Sequence, residues 1–155
     1  FRNHVVAEHD GKVVAAGAAW GHASNPGFAL AAARQILACY GPLVAPGVIL
    51  RGLRIESVVP PPSRGLHYLA HLGVQPAIRG QGGGGALIEH LLAQGRAQGR
   101  PVAALDVAAT NPRAQSLYER LGFQVTRERV SRLANAQATV SSHRRMEMSL
   151  RDRQD

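Results

Sequence analysis

The chain reads as an α/β fold with a mixed sheet, and three observations predict it. Strand-like and helical segments alternate in the order ββ, helical insert, β, α, β, α, β, β. The stretch L-G-V-Q-P-A-I-R-G-Q-G-G-G-G-A-L, residues 72–87, joins a strand to a helix through a glycine-rich loop. The stretch N-P-R-A-Q-S-L-Y-E-R-L-G-F, residues 111–123, is a helix with its start and stop written into it.

The hairpin comes first. Residues 4–8 and 12–20 flank His9-Asp10-Gly11, and Asp-Gly between apolar segments signals a tight turn between strands. Residues 21–27 are turn-rich. Phe28 to Tyr40 predicts a helix with Leu30, Ala33, Ile36 and Leu37 on one face. Pro42, Pro46 and Gly47 interrupt the next stretch, leaving a second short helix near 47–56 before Pro60 to Pro62 end regular structure. Residues 66–74 form a strand running into the glycine loop. Ala86 to Gln98 continue as a helix that buries Leu87, Leu91 and Leu92. Pro101 restarts the chain, and Val102 to Val107 form a short buried strand. Asn111 then caps a helix, Pro112 takes its first position and Gly122 comes just after its last turn. Phe123 to Val130 is a strand, 131–142 a polar loop and Arg145 to Leu150 a closing strand. The last five residues are expected to fray.

At 155 residues, 45% of them hydrophobic, the chain predicts a single domain over 1–155 with a sizeable core. Within it, 21–62 form the helical insert. No run approaches the roughly 18 apolar residues that span a membrane. The start F-R-N-H-V-V-A-E-H-D carries no signal peptide. The lone Cys39 forms no internal disulfide, which favours a reducing, cytoplasmic setting. A first residue of Phe1, entering directly into strand-like sequence, points to a missing N-terminal portion.

The formal charge of +8, from 18 basic and 10 acidic residues, suits anionic partners such as phosphates, nucleic acid or a membrane surface. The charges are scattered, as on an arginine-rich solvated surface, and only 5% of residues are aromatic, which is poor equipment for stacking bases. A nucleic-acid module therefore rests on charge alone. The glycine loop is more specific. Bare backbone amides leading into a helix N-terminus form an anion site, and glycine lets the backbone approach a phosphate closely.

Arg79, Gly82 and Gly84 fill the pattern Q/R-x-x-G-x-G/A, with Val74 and Pro76 upstream as a V-x-P lead-in, and residues 111–123 match N-x-x-A-x-x-L-Y-x-x-L-G-F. On these motifs the chain resembles the GNAT superfamily of acetyl-CoA-dependent N-acetyltransferases, over 66–130 above all. More loosely, the insert and the H-Y-L-A-H-L-G-V stretch after it are similar to puromycin-type antibiotic acetyltransferases. The resemblance implies a mixed, mostly antiparallel sheet flanked by helices, with the CoA-binding core at 66–130. It implies acetyl-CoA as cosubstrate, a small-molecule amine as acceptor and no metal; a homodimer stays open. The family's first strand and first two helices, which cover its acceptor site, are not found in this chain.

Carried onto this sequence, the resemblance puts pyrophosphate on Arg79, Gly80, Gln81 and Gly82 to Gly85, and pantetheine on Leu72, Gly73 and Val74. The Leu72 amide would polarise the acetyl carbonyl as a small oxyanion hole. Gly73 is what a bulge or close backbone approach would need. Tyr118 becomes the general acid that protonates the leaving thiolate, a task suited to a phenol of pKa about 10. Packing beside Leu117 and Leu121 is its structural alternative. Asn111 is an N-cap with a second duty on the cofactor arm, and Arg79 either contacts phosphate or anchors the loop.

The general base is not evident. Strand alternation puts Tyr68, Ala70 and Leu72 on one face and His67, Leu69 and His71 on the other. The family often places a glutamate or histidine on the first of these faces, where Tyr68 and Ala70 offer no convincing base. His67 and His71 suit satisfied histidines better than a two-ligand metal pair. Glu56 from the insert, or a water chain, would also serve. Direct transfer without an acyl-enzyme is the leading expectation, and a GNAT-like module that binds acyl-CoA without turnover is the alternative.

Overall fold

A computed structural model describes residues 3–21, 27–56, 58–60, 62–134 and 139–151, without the side chains of Phe28 and Glu56. The side chain of the base candidate Glu56, most of the expected turn at 21–27 and the end beyond Arg151 fall outside that description.

Six strands form the sheet: β1 (His4–His9), β2 (Lys12–Trp20), β3 (Leu66–Val74), β4 (Val102–Ala108), β5 (Gln124–Arg129) and β6 (His143–Ser149). Their spatial order is β1-β2-β3-β4-β6-β5. Every pairing is antiparallel except β3 with β4, so the sheet is mixed, as the element order predicts, and mostly antiparallel, as the resemblance implies. At the first hairpin Asp10 and Gly11 both take positive φ, 50° and 69°, as a two-residue hairpin turn demands.

Helix α2 (Gly83–Ala97) lies on one face of this sheet. It buries Leu87, Ile88, Leu91 and Leu92 against Ala15, Ala19, Leu69, Ala103 and Leu105, with Phe123 and Met146 closing the cluster. Small strand residues let the helix sit close, and each buried leucine contributes about 1.5–3 kcal/mol. Gly95 marks the tightest approach, since a Cβ there would stand 2.7 Å from Leu150 Cδ1 and 2.8 Å from the His67 ring. Helix α3 (Pro112–Arg120) has the ends the sequence announces. Asn111 Oδ1 accepts from the Ala114 amide at 3.1 Å. At the other end the Phe123 amide donates to Tyr118 O, and Gly122, at φ 96°, donates to Glu119 O. That pair of bonds is the Schellman closure, and it turns the chain directly into β5.

Two helical expectations are corrected. The first concerns α2, which begins at Gly83 and not Ala86, so three of the four consecutive glycines are helical. Poor helix propensity loses there to the packing of the leucines one turn later. The second concerns the insert, where α1 (Phe28–Glu56) is two helical arms meeting at Gly41, whose φ of 70° and ψ of 169° are not helical. The second arm starts at Pro42, earlier than expected, because proline suits a first helical position. Taken as one segment, Ala29–Ile55 is long and apolar enough to cross a membrane, with 6% of its window buried. Breaking the insert at its prolines hides that property, although the Gly41 break leaves neither arm the roughly 20 residues of a span.

Candidate active site

Strands β3 and β4 pair only over Leu66–Tyr68 and Val102–Ala104, then part. Beyond that point the two strands share no ladder pairs, and β3 runs on through Val74 toward the glycine loop. A 3₁₀ turn (Pro76–Ile78) leads to Gly80 and Gly82, at φ 82° and 86°, left-handed values that favour glycine. Gly82 caps α2 with no side-chain hydrogen bond, and the first intrahelical bond runs from the Ala86 amide to Gly82 O. The amides of Gly83 to Gly85 therefore open the helix with no partner inside it, at the positive end of its dipole.

A cleft of about 520 Å³ runs from this loop to α3. Leu72, Gly73, Val74, Arg79, Gly80, Gly82, Gly84 and Gly85 line one side, with Asn111 and Tyr118 on the other. Gln81 and Gly83 are not in the lining; Gln81 instead donates to Ala77 O at 3.4 Å. Arg79 takes the anchoring role, since its Nε donates to Val74 O at 3.1 Å and fixes the loop to the strand end. Arg113 and Arg120 also line the cleft, and sequence reasoning missed them. Their spacing of seven on α3, on a helix bordering the glycine loop, was the available signal. Arg79, Arg113 and Arg120 thus line the cleft together with the bare backbone of the glycine loop. A Cβ on Gly84 would already stand 3.4 Å from Val74 Cγ2 and 3.6 Å from Leu117 Cδ2.

Tyr118 is half-buried, its ring edge-on to Phe123 at 6.2 Å. Burial raises its phenol above the ordinary value, which keeps the proton on it.

The face of the sheet away from α2 carries a second group of residues. Tyr68 donates to Asp106 Oδ2 at 2.8 Å, and Arg145 grips the same carboxylate through Nε at 3.0 Å and a terminal nitrogen at 2.8 Å. The guanidinium also lies 5.3 Å from the Tyr68 ring centroid. Burial first, then the bond to Asp106, pushes the Tyr68 phenol up. Sequence reasoning missed Asp106 and Arg145. A charge inside an apolar strand, as in A-L-D-V-A, needs a buried partner and was the clue.

Strand alternation is corrected here. Ala18 pairs with Ala70 and Ala16 with Gly73, so Gly17 alone faces both His71 and Leu72. The bulge sits at His71, with φ 55°, and not at Gly73. It flips the phase of the strand. Leu72 turns to the α2 side, where its Cδ2 fills the space a Gly17 Cβ would take, 2.9 Å away. His71 turns to the face of Tyr68, with its ring 5.5 Å from Trp20 and stacked at 5.4 Å on His4. His67 and His71 therefore lie on opposite faces.

His67 is a buried core histidine. Its Nε2 donates to Leu91 O at 2.8 Å, while the buried Nδ1 has no hydrogen-bond partner among the described residues. Desolvation lowers its pKa from 6.5. The unfolded chain then binds the extra proton first, so stability is full above pH 6.5 and declines as pH falls below it. Urea midpoints measured across that range are expected to drop on acidification, and His67→Leu to flatten the trend; an equal slope in both proteins would refute the assignment.

With this geometry in hand, comparison with known proteins is decisive. A model of the acetyltransferase (GNAT) family matches residues 2–123. The chain belongs to the GNAT acetyltransferase family. Members of this family use acetyl-CoA. A search of curated protein sequences finds no significant match. Among solved structures, the chain is similar to the ribosomal-protein-S18-alanine N-acetyltransferase of Escherichia coli, with 20% identity, a TM-score of 0.57 and coverage of 92% of this chain and 65% of that one. It is also similar to a putative acetyltransferase of Salmonella typhimurium solved with its cofactor acetyl-CoA, at 18% identity, TM-score 0.62 and coverage of 96% and 65%. A GCN5-related N-acetyltransferase from Kribbella flavida gives 17% identity, TM-score 0.59 and coverage of 94% and 66%. At these identities the likeness is one of fold. The chain spans just under two-thirds of the length of these structures. Among the described residues no group of three or more His, Cys, Asp or Glu is placed to hold a metal ion.

Proposed function

We propose that this chain transfers the acetyl group of acetyl-CoA to a primary amine of a small molecule, by direct attack within a ternary complex. One observation carries the reading: a single cleft brings together the N-terminus of α2, Leu72 to Val74 at the end of β3, and Tyr118 of α3. Gly82 to Gly85, aided by Arg113 and Arg120, hold the pyrophosphate. Leu72 to Val74 pair with the pantetheine arm, the Leu72 amide polarises the acetyl carbonyl, and Tyr118 gives its proton to the departing sulfur. The lone Cys39 lies exposed on α1, outside the cleft lining, which disfavours a covalent cysteine route.

Titration calorimetry with CoA tests the donor half. Gly84→Glu puts a carboxylate where a Cβ is already tight, and is expected to weaken binding roughly 100-fold, about 2.7 kcal/mol. Gly82→Glu adds strain at a left-handed position to the same repulsion. Wild-type protein that ignores CoA, or variants that bind it as wild type does, would remove the cleft assignment. CoA binding without acetyl consumption across an amine panel would make the protein an acyl-CoA-binding module instead.

A further inference from the structure

The end of α2 remote from the glycine loop gathers three arginines that the cleft does not use. The helix stops in a Schellman turn: the Arg100 amide donates to Gly95 O at 3.0 Å, the Gly99 amide to Arg96 O at 2.9 Å, and Gly99 takes φ 64°. That turn brings Arg100 back beside Arg96 of the last helical turn. Pro101 follows, and its carbonyl accepts from the Leu150 amide at 2.9 Å, which sets Arg151 at the same corner. The three arginines line a cavity of about 260 Å³ with Gly99, Pro101 and Leu150, and no acidic side chain among the described residues lines it. The cavity shares no lining residue with the cleft. The 15 residues of α2 lie between them, a length of roughly 22 Å.

These arginines differ from the two on β6. Arg144 and Arg145 are paired with Glu128 and Asp106, whereas Arg96, Arg100 and Arg151 have no carboxylate partner among the described residues. Arg100 is held in place. A Cβ on Gly21 would stand 3.2 Å from one of its terminal nitrogens, so its guanidinium occupies the space of a missing side chain. Its Nε is buried with no hydrogen-bond partner among the described residues, a costly state that an acceptor in the cavity relieves. Burial first, and the charge of Arg100 after it, lower the His67 pKa, so water does not fully screen that charge. The negative end of the α2 dipole is a weak opponent. It amounts to about half a charge against three full ones, and the Gly95 and Arg96 carbonyls are already bonded.

We propose that this corner binds the phosphate group of a small phosphorylated molecule. Three cations without a counter-ion suit a dianion better than a single carboxylate, and guanidinium forks bond phosphate oxygens two at a time. One water takes about 30 Å³ in the liquid, so 260 Å³ holds a phosphate and leaves room for a small organic body against Pro101 and Leu150. The site is independent of the donor cleft and of the transferase reading.

Backbone amide NMR of the whole chain tests this, with ligands titrated at constant ionic strength and about pH 8, where a phosphate monoester is a dianion. Inorganic phosphate and glycerol phosphate are each expected to shift the Gly99, Arg100 and Leu150 amides together, separately from any response of Gly82 to Gly85 in the glycine loop. Arg100→Met keeps an apolar stem and is expected to weaken that binding about ten-fold. Arg96→Gln combined with Arg151→Gln is the second variant; both side chains are exposed, so the fold does not depend on them, and a loss of about ten-fold is expected again. The glycine-loop response stays as in wild type in both. Equal shifts with acetate, wild-type phosphate affinity in the variants, or shifts confined to the glycine loop would overturn the site. Binding of inorganic phosphate but not of glycerol phosphate would overturn the phosphorylated-molecule reading and leave a site for the free ion.

Discussion

Tyr118→Phe is expected to lower kcat for acetyl transfer by about 100-fold or more while leaving CoA affinity near wild type. The ring that packs edge-on against Phe123 at 6.2 Å stays, so the cleft keeps its wall and only the phenolic proton is lost. A general acid in this position typically contributes two to four orders of magnitude. The dependence on pH gives a second reading. Burial raises the Tyr118 phenol, so the donating form persists into more alkaline solution than an ordinary phenol allows, and activity falls only as pH rises through that elevated value. The variant should lose this alkaline limb. The difference between variant and wild type should also shrink when the acetyl donor carries a more acidic thiol, because a better leaving group needs less help. Equal kcat in wild type and variant would assign Tyr118 to packing alone.

The features legible in the sequence are local. The α3 cap at Asn111, the closure at Gly122 and the hairpin at Asp10-Gly11 each depend on bonds spanning a few residues, and all three appear where the sequence puts them. The lining of the cleft is legible for the same reason, since the glycine loop and the α3 motif each carry their own geometry. The second face is not. Whether β3 alternates or bulges depends on Gly17, some fifty residues upstream, leaving space for Leu72 Cδ2. Nothing within H-Y-L-A-H-L-G-V announces that Gly17 will face two residues at once, so simple alternation puts His71 on the wrong face. Asp106 and Arg145 meet only because β4 and β6 are neighbours in the sheet. In α1, propensity foretells the first arm, but the prolines look like interruptions when Pro42 in fact begins the second.

The cross-strand pair of Asp106 and Arg145 also carries the largest expected effect on stability. Asp106→Ala is expected to cost about 3–5 kcal/mol, because it leaves a buried guanidinium without its counter-ion. The side chains of Arg145 and Asp106 are only 10% and 2% exposed, so neither charge has water to fall back on. The Tyr68 hydroxyl loses its acceptor in the same step. Against a typical total of about 5–15 kcal/mol, such a loss leaves the domain marginal, and urea unfolding should show it directly. The converse is the sharper test. Asp106→Leu with Arg145→Met and Tyr68→Phe removes every member of the network together, and an apolar replacement of similar volume is expected to restore most of the lost stability. If the triple variant melts with the single one, the network supplies net stability beyond avoiding an orphaned charge. If it recovers, the energetic reason for these charges is gone. An accompanying loss of acetyl transfer would then place them among the determinants of that reaction.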